Sequence, residues 1–208
     1  MPPDWSAIRG TAASASAAVD PAEDGPTAAR ALAAVPRIAD QSGGIRDRLG
    51  RLADLPAWPA ALAAPRIPAS AEGLRSWLAS LVDAAAARYL WYGHGNGVML
   101  VHSATAPNAI VRTLPALDQQ LWAPSAAAAW AAAAALTAIY APAAPAAQTA
   151  LPDPPGGPQA AEETFARAVE HGDEHVIKFA DTATDVFART GNPGALAAAI
   201  RATHLVDR

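Results

Sequence analysis

The sequence predicts an all-α protein, a multi-helix globular array, and three observations carry that expectation. Alanine, the strongest helix former, is the dominant residue and inflates a hydrophobic share of 52%. Two long segments place apolar residues at the ~3.6-residue period of a buried helix stripe. A single short run, Val98-Met99-Leu100-Val101-His102-Ser103, has strand propensity, and no second strand is available to pair with it, so helix is favoured there too.

The elements follow in order. Residues 1–27 are a poorly structured or partly helical segment, small and polar over 11–27, with a loop from Asp20 to Pro26. A helical domain over 28–208 begins with pieces at about 28–40, 43–53 and 56–64, each cut by Pro or Gly. Ser70 caps a stronger helix over 71–91, with Leu74, Trp77, Leu78, Leu81, Ala84, Ala85, Tyr89 and Leu90 on one face. Gly93-His94-Gly95-Asn96-Gly97 then breaks the chain, Pro107 starts a helix to about Leu114, and Ser125 caps an alanine-rich helix over 125–140. Residues 142–158 are a Pro/Ala/Gly-rich loop that buries too little to order itself. The last fifty residues are the best patterned. Gln159 to Glu170 is a helix, Gly172 stops it, and Asp173 caps the next, which runs to about Thr190. After Gly191-Asn192-Pro193 a final helix reaches about Leu205.

Composition excludes several classes of function. There is no cysteine, hence no disulfide, thiolate metal site or cysteine nucleophile. Net charge is −4, and the arginines are scattered, so no nucleic-acid surface is expected. Met1-Pro2-Pro3-Asp4 has no basic n-region and no apolar run behind it, so a cytoplasmic location is expected. The longest apolar run, Ala126 to Ala141, is shorter than the ~20 residues of a bilayer span, so no membrane partner is expected. Glycine spacing fits no dinucleotide fingerprint, and no P-loop or Gly-x-Ser-x-Gly elbow exists.

The pointed segment is Gly172-Asp173-Glu174-His175-Val176-Ile177-Lys178-Phe179, which holds the one lysine of the chain. On a helical wheel Val176, Phe179, Ala180, Ala183, Val186 and Phe187 form the apolar stripe. His175 lies at its edge and Lys178 on the same flank, neighbours at i and i+3. The pair is either a snorkelling lysine beside a half-buried histidine or a metal or substrate site. Lys178 could ligate a metal only after losing its proton in a dry site and reacting with CO2 to a carbamate. His102, inside an apolar run, is either a hydrogen-bonded core residue or a ligand. His171 and His175 have i, i+4 spacing, but Gly172-Asp173 reads as a stop and a cap between them. His94, among glycines, is expected to be exposed, and His204, near the C-terminus, to be incidental.

Two segments together carry a resemblance. Leu100-Val101-His102-Ser103-Ala104-Thr105-Ala106-Pro107, followed by Leu114-Pro115-Ala116-Leu117, resembles the His-x-x-Thr…Leu-Pro region of questin oxidase-like proteins. Asp173-Glu174-His175-Val176-Ile177-Lys178 resembles that family's Asp-Glu-His-x-Ile-Lys segment. The resemblance spans about residues 28–205. It implies a helical oxidoreductase of monooxygenase type in secondary metabolism. The implied reaction is an oxygen-dependent, Baeyer–Villiger-type oxidation or ring cleavage of an aromatic polyketide-like small molecule, linked to NADPH. It carries over His102, His175 and Lys178 as catalytic and metal-site residues, and a non-haem iron would account for oxygen chemistry without flavin.

The family's Asn-His-x-Pro-Met-like motif is absent here. Trp5-Ser6-Ala7-Ile8-Arg9 stands in place of a His-Gly-x-Ile-Arg-like motif. The resemblance therefore implies the C-terminal half of a larger helical fold, with its site completed by a second protomer or another chain. The alternative is a truncated, non-catalytic member acting as a helical binding or interaction module, or as a carrier of a hydrophobic ligand.

Overall fold

Helix starts and stops follow local chemistry along most of the chain in a computed structural model that describes residues 27–207. The expectation for residues 1–26 lies outside the described residues. Thr27 Oγ1 accepts the Arg30 amide to open α1, Ala28–Ala33. Short helices α2, Ile45–Gly50, and α3, Trp58–Ala63, follow. Ser70 Oγ accepts the Gly73 amide at 3.1 Å to open α4, Ala71–Tyr92. Asn96 Oδ1 accepts the Met99 amide at 2.8 Å to open α5, Gly97–Thr113. Then come α6, Trp122–Tyr140, α7, Ala160–His171, α8, Glu174–Thr190, and α9, Pro193–Leu205. Nine α-helices and no strand occur among the described residues, so the expected all-α class holds.

Several boundaries differ from the sequence reading. The first three helices are shorter than expected. Past α1, Pro36 biases Val35 away from helix, and the chain runs extended so that the Ile38 amide reaches the Ala138 carbonyl at 3.0 Å. Pro107 does not start a helix but lies inside α5. It removes one helical donor, yet the turn survives because Ala104, Pro107 and Asn108 are buried against neighbouring helices. Ser125 does not cap α6. The helix begins three residues earlier, out of a 3-10 turn at Gln119–Leu121, and accepts Pro124 in its first turn, where no amide bond is lost.

The described core is built on α6, which is apolar all round and buried along most of its length. It packs on α5 and α4, and α2 and α3 also lie against it. Helices α8 and α9 pack against α5 and α4, and α7 crosses both of them. Trp130 anchors the middle of α6, its Nε1 donating to the Leu62 carbonyl at 3.0 Å while its ring meets Trp77 edge-on. With its lead-in turn the segment Gln119–Tyr140 is 22 residues, longer than the apolar run suggested. By length and composition it could cross a membrane; 67% of its most apolar stretch is buried inside the protein.

The loop 142–158 holds no element longer than the 3-10 turn Gln148–Ala150. It is nevertheless ordered by what it touches. The Ala146 amide donates to the Trp91 carbonyl at 2.7 Å, and buried Arg201 of α9 donates to the Ala150 carbonyl.

The glycines at the start of α5 serve close backbone approach. A Cβ on Gly97 would stand 2.5 Å from the Leu205 carbonyl oxygen, and one on Gly95 would collide with the Tyr140 carbonyl. Tyr89 Oη donates to the Gly97 carbonyl at 3.0 Å and fixes the same turn to α4. Gly97→Ala is expected to destabilise the protein by about 1–3 kcal/mol through overpacking. Gly50→Ala, where a Cβ meets nothing within 4 Å, is expected to be neutral or to stabilise by roughly 0.4–1 kcal/mol. Urea unfolding of the two variants checks both expectations.

Candidate functional site

The Gly172-Asp173 junction sets the site. Gly172 takes a left-handed φ of 87°, which ends α7. Asp173 Oδ1 accepts the His175 amide at 2.7 Å and the Val176 amide at 3.3 Å, which starts α8. The cap and the site are the same group, because Asp173 Oδ1 also meets His175 Nδ1 at 3.2 Å. With its proton on Nδ1 facing Asp173, His175 keeps the lone pair on Nε2. Below, Val176, Phe179, Ala180, Ala183 and Val186 are buried as the stripe requires, and Phe179 packs on Tyr89 with ring centroids 4.4 Å apart.

His102, on α5, faces His175 across the α5–α8 contact. The two ring centroids are 5.3 Å apart with an interplanar angle of 87°. Among the described residues no hydrogen-bond partner faces a His102 ring nitrogen. Burial lowers the His102 pKa below the usual histidine value, the His175 ring and the Lys178 ammonium push the same way, and Glu174 opposes them. His102 is therefore neutral near pH 7, the form that ligates metal.

Lys178 sits at the rim of the pair. Its side chain is 56% exposed and its ammonium is paired with Glu174 one turn back. A protonated amine has no lone pair, and the carbamate route requires a dry site that this exposed side chain lacks. Hydrogen bonding and charge from Lys178, then charge from His175, hold the Glu174 carboxyl below its usual range. Asp173 is also lowered: desolvation raises it, but the His175 and Val176 amides and the His175 ring outweigh that.

The other histidines take no part. His171 is buried, its Nε2 pairs with the Val206 carbonyl at 3.0 Å, and its Nδ1 accepts the Asp173 amide at 3.4 Å. It locks the α7–α8 junction to the chain end, so the i, i+4 pair is not one site. His94 and His204 are exposed.

Sequence reading missed a polar cluster further along the same two helices. Buried Asn108 donates to Asp185 at 3.0 Å and to Thr182 at 3.4 Å, while Arg112 pairs with Asp181 and Asp185 at 2.6 Å each. The signal was there as two i, i+4 pairs, Asn108/Arg112 on α5 and Asp181/Asp185 on α8. These residues satisfy one another and fix the register that brings His102 to His175.

The donor chemistry fits a transition metal in part. Two imidazoles bound to one ion at ~2.1 Å with a tetrahedral angle have ring centres roughly 5 Å apart. The same separation also suits edge-to-face ring packing. Among the described residues no group of three His, Asp, Glu or Cys side chains converges, and the His102–His175 pair offers two imidazole donors. No family model, curated protein or solved structure matches the chain, so the site is read from its own residues.

The lowered His102 gives a signed pH dependence. Between its folded and unfolded pKa values the unfolded chain binds more protons, so stability rises with pH there. The contribution is complete above about pH 6.5 and is lost as pH falls below it. Asp173 and Glu174 act in a separate window, losing their contribution as pH falls through their lowered values. The urea midpoint of the wild type is expected to drop between pH 7 and pH 5.5, and His102→Gln to flatten that drop. An unchanged slope in the variant would contradict the assignment.

Proposed function

We propose that this chain is a questin oxidase-like oxidoreductase, acting in an oxygen-dependent oxidation or ring cleavage of an aromatic polyketide-like molecule, with an iron site built on His102 and His175. One observation supports the reading. Two segments far apart in sequence, each carrying the resemblance, place their histidine rings 5.3 Å apart on adjoining helices. Bound iron with open positions would supply the activation of dioxygen. The residues of the chain do the rest. Asp173 orients the His175 ring and fixes its tautomer. Partial burial keeps His102 neutral and its nitrogens available. Lys178 and Glu174 place a mutually balanced charge pair at the rim.

A second reading is a helical binding or interaction module without catalysis. It is favoured by the Lys178–Glu174 pairing and by the two-donor set among the described residues.

Elemental analysis after anaerobic loading with ferrous iron and desalting separates the two. The oxidoreductase reading expects iron retained by the wild type and at least ~10-fold weaker binding in His102→Ala and in His175→Ala, a loss of about 1.4 kcal/mol or more. Circular dichroism should show full helicity in both variants. A fully helical wild type that retains no iron would favour the binding module.

A further inference from the structure

A second place on the protein holds cations without anions. Arg88 of α4 lies with its guanidinium carbon 4.6 Å from the centre of the Tyr92 ring, and Arg37 lies 5.4 Å from the same ring. Neither arginine has a carboxylate or hydrogen-bond partner among the described residues. Arg88 Nη2 and Arg37 Nε are shielded from solvent and unsatisfied. Four other described arginines have carboxylate partners: Arg51 with Asp40, Arg112 with Asp181 and Asp185, Arg167 with Glu163, and Arg189 with Asp83. Two close guanidiniums with shielded, unpaired donors are costly to hold in a fold, since each buried donor forfeits its hydration without a replacement. Burial makes Arg88 a weaker base than usual; Tyr92 opposes that shift, and repulsion from Arg37 adds to it more weakly. The two shielded nitrogens are out of a ligand's reach; the remaining guanidinium nitrogens of both side chains, also without a carboxylate partner, are the ones an anion would meet.

An apolar groove of about 440 Å³ adjoins Arg88 and Tyr92, within the size range of small-molecule sites, with Arg37 reaching it only through the Tyr92 ring. Arg88 and Tyr92 line it at one side; Ala29 and Ala33 of α1 face Ala87 and Trp91 of α4 across it. Small side chains on both walls leave the floor open, and Trp91 offers a flat indole. The loop anchored by the Ala146 amide on the Trp91 carbonyl brings Pro145 to its edge.

We propose that this groove binds an amphiphilic organic carboxylate, its acid group held by Arg88 with the charge of Arg37 behind Tyr92 adding to the attraction, and its apolar body laid along Ala33, Ala87 and Trp91. Guanidinium suits a carboxylate because its planar donors match the two oxygens. The groove is independent of the histidine pair and stands or falls without it.

Calorimetric titration with sodium dodecanoate below its micelle concentration tests the site, with dodecanol and inorganic phosphate as companion probes. The expected result is one saturable dodecanoate site. Binding should weaken at least ~10-fold in Arg37→Gln/Arg88→Gln, and dodecanol should bind the wild type no better than dodecanoate binds that variant. A second variant, Ala87→Phe, keeps both arginines and fills the groove from an exposed helix position, and it should also abolish dodecanoate binding. Dodecanoate binding that survives Ala87→Phe would overturn the proposal. So would equal affinity for dodecanol, or phosphate binding as tight as that of dodecanoate.

Discussion

Close backbone approach is the constraint on which the structure depends. Aromatic residues are only 6% of the chain, so the core cannot be filled by large side chains alone. It is filled instead by bringing helices near one another across alanine and glycine. Ala126, Ala133, Ala134 and Ala138 of α6 are fully buried, as are Ala85 and Ala86 of α4 and Ala104 of α5. Each such residue buries little apolar area, but the packing of backbone on backbone recovers dispersion contacts over a long interface. Gly95 and Gly97 mark where the approach is tightest. The few large side chains act as pins within this frame: Trp130 into the Leu62 carbonyl, and Tyr89 between the Gly97 carbonyl and Phe179.

The histidine pair is a consequence of that frame. Helices α5 and α8 pack together, with Val101 and Ala104 of one and Val176 and Ala180 of the other buried, and polar residues pair between the same two helices. At one end Asn108, Arg112, Asp181 and Asp185 satisfy one another. Removing a partner from buried Asn108 would leave an amide unpaired at a cost of about 1–3 kcal/mol, which makes the register of the two helices hard to slip. At the other end His102 and His175 meet, and they are satisfied less completely: Asp173 serves one imidazole, while the other finds no described partner. Polar groups that a fold leaves available beside a well-satisfied network are where binding chemistry can be added at little structural cost.

Much of this was legible in sequence. The α7–α8 junction was readable because Gly172, Asp173 and the apolar stripe behind them each have one strong local meaning. The caps at Ser70 and Asp173 were readable for the same reason. Pro107 and Ser125 misled, because a proline or serine has two local meanings and burial chooses between them: Pro107 is held inside α5 by its packed flanks, and Ser125 is overrun by a helix that starts at Trp122. The convergence of His102 and His175 could not be derived from pattern, since it depends on how two distant helices align. It entered through resemblance. The exposed state of Lys178 was equally hidden, because its position on the flank of the stripe allows either inward or outward reach. Arg88 and Tyr92 are an i, i+4 pair on α4, but that Arg37 reaches the same ring from a separate segment depends on tertiary packing and left no pattern.

The central claim is that His102 and His175 form one pair able to share an ion. Long-range 15N correlation spectra of the imidazoles during titration with Zn2+ test it most directly, because they read each ring nitrogen separately and do not depend on catalysis. The account predicts that Nε2 of His175 and one nitrogen of His102 shift together at the same zinc concentration, while His171, held by the Val206 carbonyl, stays unmoved. Shifts confined to the exposed His94 and His204, or separate titrations of His102 and His175, would contradict it.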